Sequence, residues 1–330
     1  MNYSSSIKQV GRFRVSKLFK IFGILFSIVK CRIDSRIDVF YYPPSGPHRI
    51  PLYRDIITLL FARMFAKKII LHFHAGGLSD KIERLNPVER FFAYSAFRHV
   101  DAAIVLLPWL EKEVQWFRPK NVFIVPNGIE DVAGSHSPVL RSINEVCNIL
   151  FVGNLKDEKG IFVLLSAAKH LKVSNRRFQL QVMGDTHSES LRVKIDSFIA
   201  DNDLQDCVKL LGSISGSEKW NYFRSAHVFC LPTYDTEAMP VSILEAMMFS
   251  LPTVTSKWRA IPDMIADKKE AFFCEIKEYH GLADKLAMFI DSPGTALQVG
   301  TAARARFKSQ YTIGNHLQNM ERVFEGFLKR

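Results

Sequence analysis

Short apolar runs rich in β-branched and aromatic residues alternate along most of the chain with longer stretches in which apolar residues recur every three or four positions. The short runs are typical of buried strands, and the longer stretches are typical of helices with one apolar face. Their alternation predicts an α/β fold with parallel sheets covered by helices. In the first half the pattern predicts strands at Ile37–Tyr42, Lys68–His74, Ala102–Leu107 and Asn121–Val125, helices at Leu52–Ala66 and Pro87–Arg98, and a short helix from Trp109.

A polar stretch rich in turn-forming residues interrupts this alternation at residues 128–145, which predicts a linker. We therefore expect two Rossmann-like domains that face a cleft, residues 37–127 and 146–308, and a C-terminal helix within 309–330. The second series comprises strands at Asn148–Val152, Gln179–Met183, Val208–Leu211, His227–Leu231 and Thr253–Thr255, and helices from Gly160 and at Glu189–Ala200, Ser217–Ser225, Val241–Phe249, Tyr279–Ile290, Thr295–Lys308 and His316–Leu328.

The first 36 residues form a separate segment that combines basic and apolar positions. Its apolar residues recur with the period of one helix face, and its apolar core, Ile21–Val29, is too short to span a bilayer. Lys30, Cys31 and Arg32 follow where a secretory signal would have a small-residue cleavage site, so we expect a retained amphipathic helix. Two roles are open for it: packing on its own domain, or contact with an anionic membrane surface. The basic residues are Lys8, Arg12, Arg14, Lys17, Lys20, Lys30, Arg32 and Arg36.

Composition narrows the class of protein. A chain of 330 residues that is 48% hydrophobic has a sizeable core, which excludes disorder as its main state. Five scattered cysteines without a C-x-x-C pair indicate a reducing compartment. The formal charge of +11 favours anionic partners, but no basic stripe interleaved with aromatic residues follows the N-terminus, so we expect no nucleic acid partner. Neither the dinucleotide fingerprint nor the phosphate loop occurs, so dehydrogenase and ATPase functions lose their usual support.

Two predicted strand-to-helix loops carry candidate anion-binding chemistry. Phe151–Gly160 contains Lys156 and Lys159 ahead of a helix start, where ammonium groups and helix N–H groups could meet a diphosphate. Pro232–Pro240 enters a helix that carries Glu245, placed to accept hydrogen bonds from a ribose diol. Each feature alone has a simpler explanation, a polar turn for the first loop and a favourable helix dipole for the glutamate.

The segment from Thr236 to Met247 has two glutamates separated by seven residues, and it resembles the E-x7-E signature of retaining GT-B glycosyltransferases of family 4. The resemblance extends over residues 37–330 and is most specific over 146–265. It includes, in the family's order, Phe151–Gly160, Val182–Asp185, Leu211-Gly212, Ala226–Thr233, Leu251–Val254 and Ile261–Asp263, and in the first half His72–Gly76, Ala102–Leu107 and Val125–Ile129.

The resemblance implies a role for each matching residue. Lys159 would bind the donor diphosphate, Glu245 the ribose hydroxyls and Glu237 the sugar ring, while His74 would contact the transferred sugar. His74 and Glu237 are thus the implied catalytic residues. The implied donor site consists of Gly153, Asn154, Lys156, Lys159, Glu237, Ala238, Met239, Pro240, Val241 and Glu245.

The implied activity is a metal-independent, retaining transfer of a hexose-type unit from a nucleoside diphosphate sugar to a hydroxyl acceptor, in surface polysaccharide or glycolipid assembly. No separate cofactor is expected. His72 and His74 share a strand face, but without a third ligand at a recognisable spacing we do not expect a metal there. The expected location is cytoplasmic, peripheral on the inner face of the cell membrane, with a lipid-linked or saccharide acceptor.

Two departures from the family pattern leave a second hypothesis open. Asn154 stands where the family commonly has arginine, so Lys156 would have to supply the missing charge. The family's opening strand and Gly-rich loop have no counterpart before Ile37, so we expect a shortened N-terminal domain. A catalytically weakened GT-B chain that acts as a binding subunit is therefore the alternative.

Overall fold

The computed structural model describes residues 15–34, 37–134, 145–186 and 188–328, and within these ranges the side chains of residues 22–327. The chain forms two compact units that divide between Pro126 and Asn127. Each contains a parallel sheet with helices, so the fold is α/β with two Rossmann-like halves, as the alternating pattern predicts.

The first unit contains a four-stranded parallel sheet in the order β1-β2-β3-β4. The central strands β2 and β3 are almost wholly buried along their paired segments, so they form the core of this unit. The elements are α1 (Val15–Asp34), β1 (Ile37–Tyr42), α2 (Arg49–Ala62), β2 (Ala66–Phe73), α3 (Leu78–Glu83), α4 (Pro87–Phe97), β3 (Ala102–Val105), α5 (Glu111–Gln115) and β4 (Val122–Ile124).

The boundary between α2 and β2 corrects the sequence prediction. The helix was expected to run through Ala66, but Ala66 is the first residue of β2 and pairs with Ile37. The chain leaves the helix at Arg63, whose guanidinium donates to the backbone oxygens of Ala96 and Arg98. This tertiary contact ends α2 earlier than its apolar period suggests.

Helix α1 has a buried side and an exposed side. It contacts α2, and Ile28 is only 6% exposed. Phe22, Phe26 and Ile33 are 66%, 69% and 78% exposed. Packing of this helix on its own unit, one of the two expected roles, therefore accounts for only part of its apolar surface. Within the described ranges, no helix is long and apolar enough to cross a membrane.

The second unit contains a six-stranded parallel sheet in the order β10-β9-β8-β5-β6-β7. Strands β5 and β8 lie side by side at its centre, although the paired residues Ile149 and Val228 are 79 positions apart in the chain. The elements are β5 (Cys147–Val152), α6 (Ile161–Val173), β6 (Phe178–Met183), α7 (Glu189–Asp201), β7 (Val208–Gly212), α8 (Ser217–Ser225), β8 (Val228–Leu231), α9 (Val241–Met248), β9 (Thr253–Ser256), α10 (Ile261–Met264), β10 (Ala271–Cys274), α11 (Tyr279–Asp291), α12 (Pro293–Gln310) and α13 (Ile313–Leu328).

The segment that opens the second unit is bound to its C-terminal helices. Ile129 exchanges backbone hydrogen bonds with Tyr311 and Ile313, at 3.0 and 2.9 Å. The guanidinium of Arg304 on α12 makes a two-pronged contact with Asp131, at 2.9 and 2.8 Å. Residues 127–134 are thus anchored, while residues 135–144 of the predicted linker lie outside the described ranges.

Candidate functional site

The centre of the second sheet is the point where its strand order reverses. From β5 the chain moves outward through β6 and β7, and from β8 it moves the other way through β9 and β10. The connections that follow β5 and β8 therefore lead to opposite halves of the sheet. Open α/β sheets bind ligands at such a reversal, outside the carboxyl ends of the strands. Both loops singled out in the sequence follow these two strands.

The loop after β5 is fixed by its backbone. The N–H of Gly153 donates to the oxygen of Met183 at 3.0 Å, and the N–H of Leu155 donates to the oxygen of Asp185 at 2.9 Å. Gly160, with φ of +79°, caps the start of α6. Asn154 and Lys156 are exposed, while Lys159 is partly buried. The loop thus presents polar groups from a rigid frame.

The loop after β8 is bonded directly to the first loop. The backbone oxygen of Glu158 accepts the N–H of Tyr234 at 2.7 Å and the hydroxyl of Thr233 at 3.3 Å. On its other side, the indole N–H of Trp258 donates to the oxygen of Asp235 at 2.9 Å. The two loops therefore form one structure and not two independent turns.

Two lysines and two carboxylates meet where these loops join. Lys159 Nζ forms an ion pair with Glu237 and lies 3.9 Å from Asp235 Oδ2, and Lys156 Nζ lies 3.5 Å from the same oxygen. Burial alone would raise the pKa of Asp235, but the N–H of Thr236 and the two lysines lower it below its ordinary value. We call this group of Lys156, Lys159, Asp235 and Glu237 the charge cluster.

Helix α9 begins directly after the second loop, with Pro240 as its N-cap. The N–H groups at a helix start generally lack intrahelical partners. In α9 the N–H of Ile243 donates to the oxygen of Pro240 at 3.1 Å, and Val241, the first residue, is 45% exposed. Ala238 and Met239 are buried, and Met239 Sδ accepts the N–H of Asn127 at 3.3 Å. Of the predicted donor residues from 238 to 241, Ala238 and Met239 are thus buried, and Val241 at the helix start is exposed.

Glu245 lies one turn into α9 and is 7% exposed. Its Oε1 accepts a hydrogen bond from Lys219 Nζ on α8 at 2.5 Å. Burial raises the pKa of Glu245 and Lys219 counteracts this shift, although the net direction remains upward. Neither Lys219 nor Asp235 was among the candidate residues predicted from the sequence.

His74 belongs to the first unit and directly follows β2 instead of lying within it. Its ring is 4.0 Å from the ring of His72, measured between centroids, as expected for residues on one strand face. His72 is buried, and its Nδ1 lies 2.5 Å from the hydroxyl of Tyr41. His74 thus contacts the ring of His72, which in turn is hydrogen-bonded to Tyr41 in the sheet.

Sequence comparison places this site in a known family. Residues 139–306, about half of the chain, match the family described as Glycosyl transferases group 1, and this range includes both loops and the start of α9. The chain belongs to the glycosyl transferases group 1 family. The ion pairs described above are therefore part of a glycosyltransferase domain.

Curated relatives of this glycosyltransferase domain act in polysaccharide biosynthesis. The chain is 30% identical over 175 residues to the amylovoran biosynthesis glycosyltransferase AmsK of Erwinia amylovora, a match that covers 52% of this chain and 42% of that protein. It is 22% identical over 190 residues to the capsular polysaccharide biosynthesis glycosyltransferase CapM of Staphylococcus aureus, which covers 57% of this chain and 48% of that protein. The matches thus span less than half of each relative's length.

The fold agrees with this family. The sucrose-phosphate synthase from Thermosynechococcus elongatus superposes with a TM-score of 0.76 over 96% of this chain and 81% of that one, at 16% identity. At that identity the likeness concerns the fold alone, which is the GT-B fold that the sequence predicts.

Proposed function

We propose that the chain is a retaining glycosyltransferase that moves a sugar from a nucleoside diphosphate sugar to a hydroxyl acceptor in polysaccharide or glycolipid assembly. The observation that carries this proposal is the joining of the two loops at the strand-order reversal, where they bring two lysines and two carboxylates together in the charge cluster. Membership of the family and relatives in polysaccharide biosynthesis support it.

In this proposal the donor lies along the second unit. Lys159 binds the diphosphate, Glu245 accepts hydrogen bonds from the ribose, and Glu237 and the N–H groups at the start of α9 bind the sugar. Lys156, which lies beside the same carboxylate as Lys159, supplies the charge that Asn154 lacks. Lysine charge and helix N–H groups stabilise the leaving diphosphate, so the proposed reaction needs no metal ion.

We further propose that the configuration at the anomeric carbon is retained through front-face attack. In that reaction the bond from the anomeric carbon to the diphosphate oxygen breaks as the acceptor oxygen bonds on the same face. The acceptor proton passes to the departing phosphate. The protein then acts through position and electrostatics. The role of His74 towards the transferred sugar stays a prediction.

We also propose that the enzyme binds peripherally to the cytoplasmic face of an anionic membrane, where a lipid-linked acceptor would be presented. The exposed side of α1 carries two phenylalanines and an isoleucine, with Lys30 and Arg32 exposed on the same helix. Apolar side chains that enter the headgroup region, together with cations near anionic lipids, bind membranes reversibly.

The proposed reaction is tested by incubating the purified chain with a panel of nucleoside diphosphate sugars and saccharide or lipid-linked acceptors. We expect release of a nucleoside diphosphate and a glycoside whose anomeric configuration, read by NMR, equals that of the donor. Lys159→Ala should lower turnover more than the melting temperature, because the lysine meets charge that grows in the transition state. Lys209→Ala, an exposed lysine on β7, is the matched control and should leave both unchanged.

Three results would contradict parts of this proposal. A glycoside whose anomeric configuration is opposite to that of the donor would exclude the retaining mechanism. Equal loss of activity and stability in Lys159→Ala would assign that lysine to the turn alone. Nucleotide binding without transfer or hydrolysis of any donor would favour the binding-subunit alternative.

A further inference from the structure

Lys219 and Glu245 form an ion pair between two helices at the edge of the proposed donor site. Lys219 is the third residue of α8, and Glu245 is the fifth residue of α9. Their side chains are 20% and 9% exposed, and Nζ lies 2.5 Å from Oε1. The pair is therefore largely shielded from solvent, which strengthens the interaction compared with a surface pair.

Aromatic packing fixes the position of the lysine. Its Nζ lies 5.1 Å from the ring centre of Trp220 and 5.7 Å from that of Phe223, within the range of cation–π attraction. Both rings stack on Phe249, the residue that caps the end of α9. These three aromatic rings thus connect α8 to α9, the helix that carries Glu245. The ammonium group of Lys219 is held on one side of the carboxylate.

The ion pair changes what the carboxylate can do. An ionised carboxylate only accepts hydrogen bonds and has two oxygens for that purpose, whereas a protonated one also donates. Burial favours the protonated form, and Lys219 opposes that effect. With Oε1 directed to Lys219, the remaining lone pairs of the carboxylate can accept hydroxyl hydrogens of a ligand.

We infer that Lys219 is a positioning residue that aims the ionised carboxylate of Glu245 at a ribose diol and so makes the site selective for ribonucleotides over 2′-deoxyribonucleotides. This inference rests on the proposed function, since it assumes that a nucleoside diphosphate occupies the site. Its new content is that selectivity for the 2′-hydroxyl depends on a residue of α8 that does not itself touch the nucleotide.

The experiment measures dissociation constants of ribonucleoside diphosphates and their 2′-deoxy forms for the full chain by calorimetry. We expect the unmodified chain to prefer the ribo form by at least about tenfold, the effect of a lost hydrogen bond to a charged group. Lys219→Met should lose most of that preference through weaker binding of the ribo form alone. Lys219→Arg, which keeps a cation, should restore it, and Lys209→Met on β7 should behave as the unmodified chain.

A double-mutant cycle separates positioning from a general structural role. In a Glu245→Ala background, Lys219→Met should have no further effect on the ribo preference, because both changes remove the same interaction. Equal weakening of ribo and deoxy forms by Lys219→Met would show a structural role only and overturn the inference. Tighter binding would show that Lys219 competes with the ligand for Glu245, which also overturns it.

The same measurements distinguish failure of the inference from failure of the proposed function. If the unmodified chain binds none of the nucleoside diphosphates, the proposed function fails. If it binds them and Lys219→Met keeps the full ribo preference, only the inference about Lys219 fails.

Discussion

At the scale of the single residue, Gly160 lies in the first loop of the proposed donor site, against Pro232 of the second. Its φ of +79° is in the left-handed region, and a Cβ built on it would lie 2.1 Å from the backbone oxygen of Pro232. Gly212 at the end of β7 shares the left-handed conformation, with φ of +70°, but a Cβ there would meet nothing within 4 Å. Replacing Gly212 thus tests the left-handed backbone conformation alone, whereas replacing Gly160 also tests the close approach of Pro232.

We expect Gly160→Ala to lower the free energy of unfolding by at least about 3 kcal/mol, because the conformational penalty and the overlap with Pro232 add. Gly212→Ala should cost only the conformational part, about 1–2 kcal/mol. Urea denaturation of both variants checks the difference, and equal losses would mean that the loops separate without cost.

Asp131 gives the second residue-scale prediction, which concerns pH. Burial alone would raise its pKa, but the hydrogen bonds and charge of Arg304 lower it below the ordinary value. The unfolded chain therefore binds this proton more readily than the folded chain. The stabilisation is complete above the ordinary carboxyl pKa of about 3.9 and is lost as the pH falls through the depressed folded value.

Asp131→Asn should destabilise the protein by about 1.5–3 kcal/mol at neutral pH, since Arg304 is almost fully buried and loses a charged partner. The difference from the unmodified chain should shrink as urea denaturation is repeated below about pH 4. Asp291→Asn is the control, because that carboxylate pairs with Arg176 at the surface and is 54% exposed. A deficit for Asp131→Asn that is constant with pH would show that the charge is not the cause.

The sequence could single out candidate site residues that belong to a motif, but not those that only tertiary contacts bring into the site. Glu237 and Glu245 stand at the spacing that carries the family resemblance, and Lys159 lies in a segment that resembles the same family, so the sequence alone singled them out as candidates. Their roles stay a prediction. The pairing of Lys219 with Glu245 crosses 26 positions and two helices, and no local period marks it. The same is true of the contacts of Asp235, which depend on the adjacency of β5 and β8.

Helix α1 gives the prediction at the scale of the element, because its exposed aromatic side chains are the proposed membrane contact. We expect the double variant Phe22→Ser and Phe26→Ser to weaken binding to anionic vesicles by at least about tenfold, since a buried phenylalanine contributes about 1.5–3 kcal/mol. Stability should change by less than about 0.5 kcal/mol because both side chains are exposed.

Flotation with anionic and neutral liposomes measures this effect. Val173→Ser is the matched control, since Val173 is 75% exposed at the end of α6 in the other unit. Flotation of the double variant equal to that of the unmodified chain would exclude these phenylalanines as the membrane contact.

Length did not decide how well the bounds of an element were predicted: β1 has its predicted bounds, whereas the longer helix α13 begins three residues before the predicted His316. The helix over Ser217–Ser225 has the predicted bounds, and the predicted helix over Tyr279–Ile290 extends by one residue. The four-residue elements α10 and β10 were not predicted, although strands of the same length, β3, β8 and β9, were. Strand β10 is defined by pairing with β9, a contact that only the assembled sheet supplies.

The two Rossmann-like halves, at the scale of the whole molecule, follow from the alternation of strand and helix signals. The strand order does not. Alternation is compatible with several orders, and the reversal at β5 and β8 results from how the crossover connections pack on the sheet. Neither the alternation nor the family resemblance was used to predict this strand order.

The charge cluster has a consequence for ionic strength. The chain has a formal charge of +11, but the charges of the two lysines and two carboxylates of the charge cluster sum to zero. A nucleoside diphosphate that binds there replaces the carboxylates as the partner of the lysines and releases few counterions. The other charges of the chain contribute little, because at physiological salt charges are screened beyond about 8 Å. We expect its dissociation constant to vary by less than about threefold between about 50 mM and 200 mM salt, whereas vesicle binding falls steeply. Titrations of both ligands across that range check the contrast, and equally steep losses would mean that the cluster opens before the nucleotide binds.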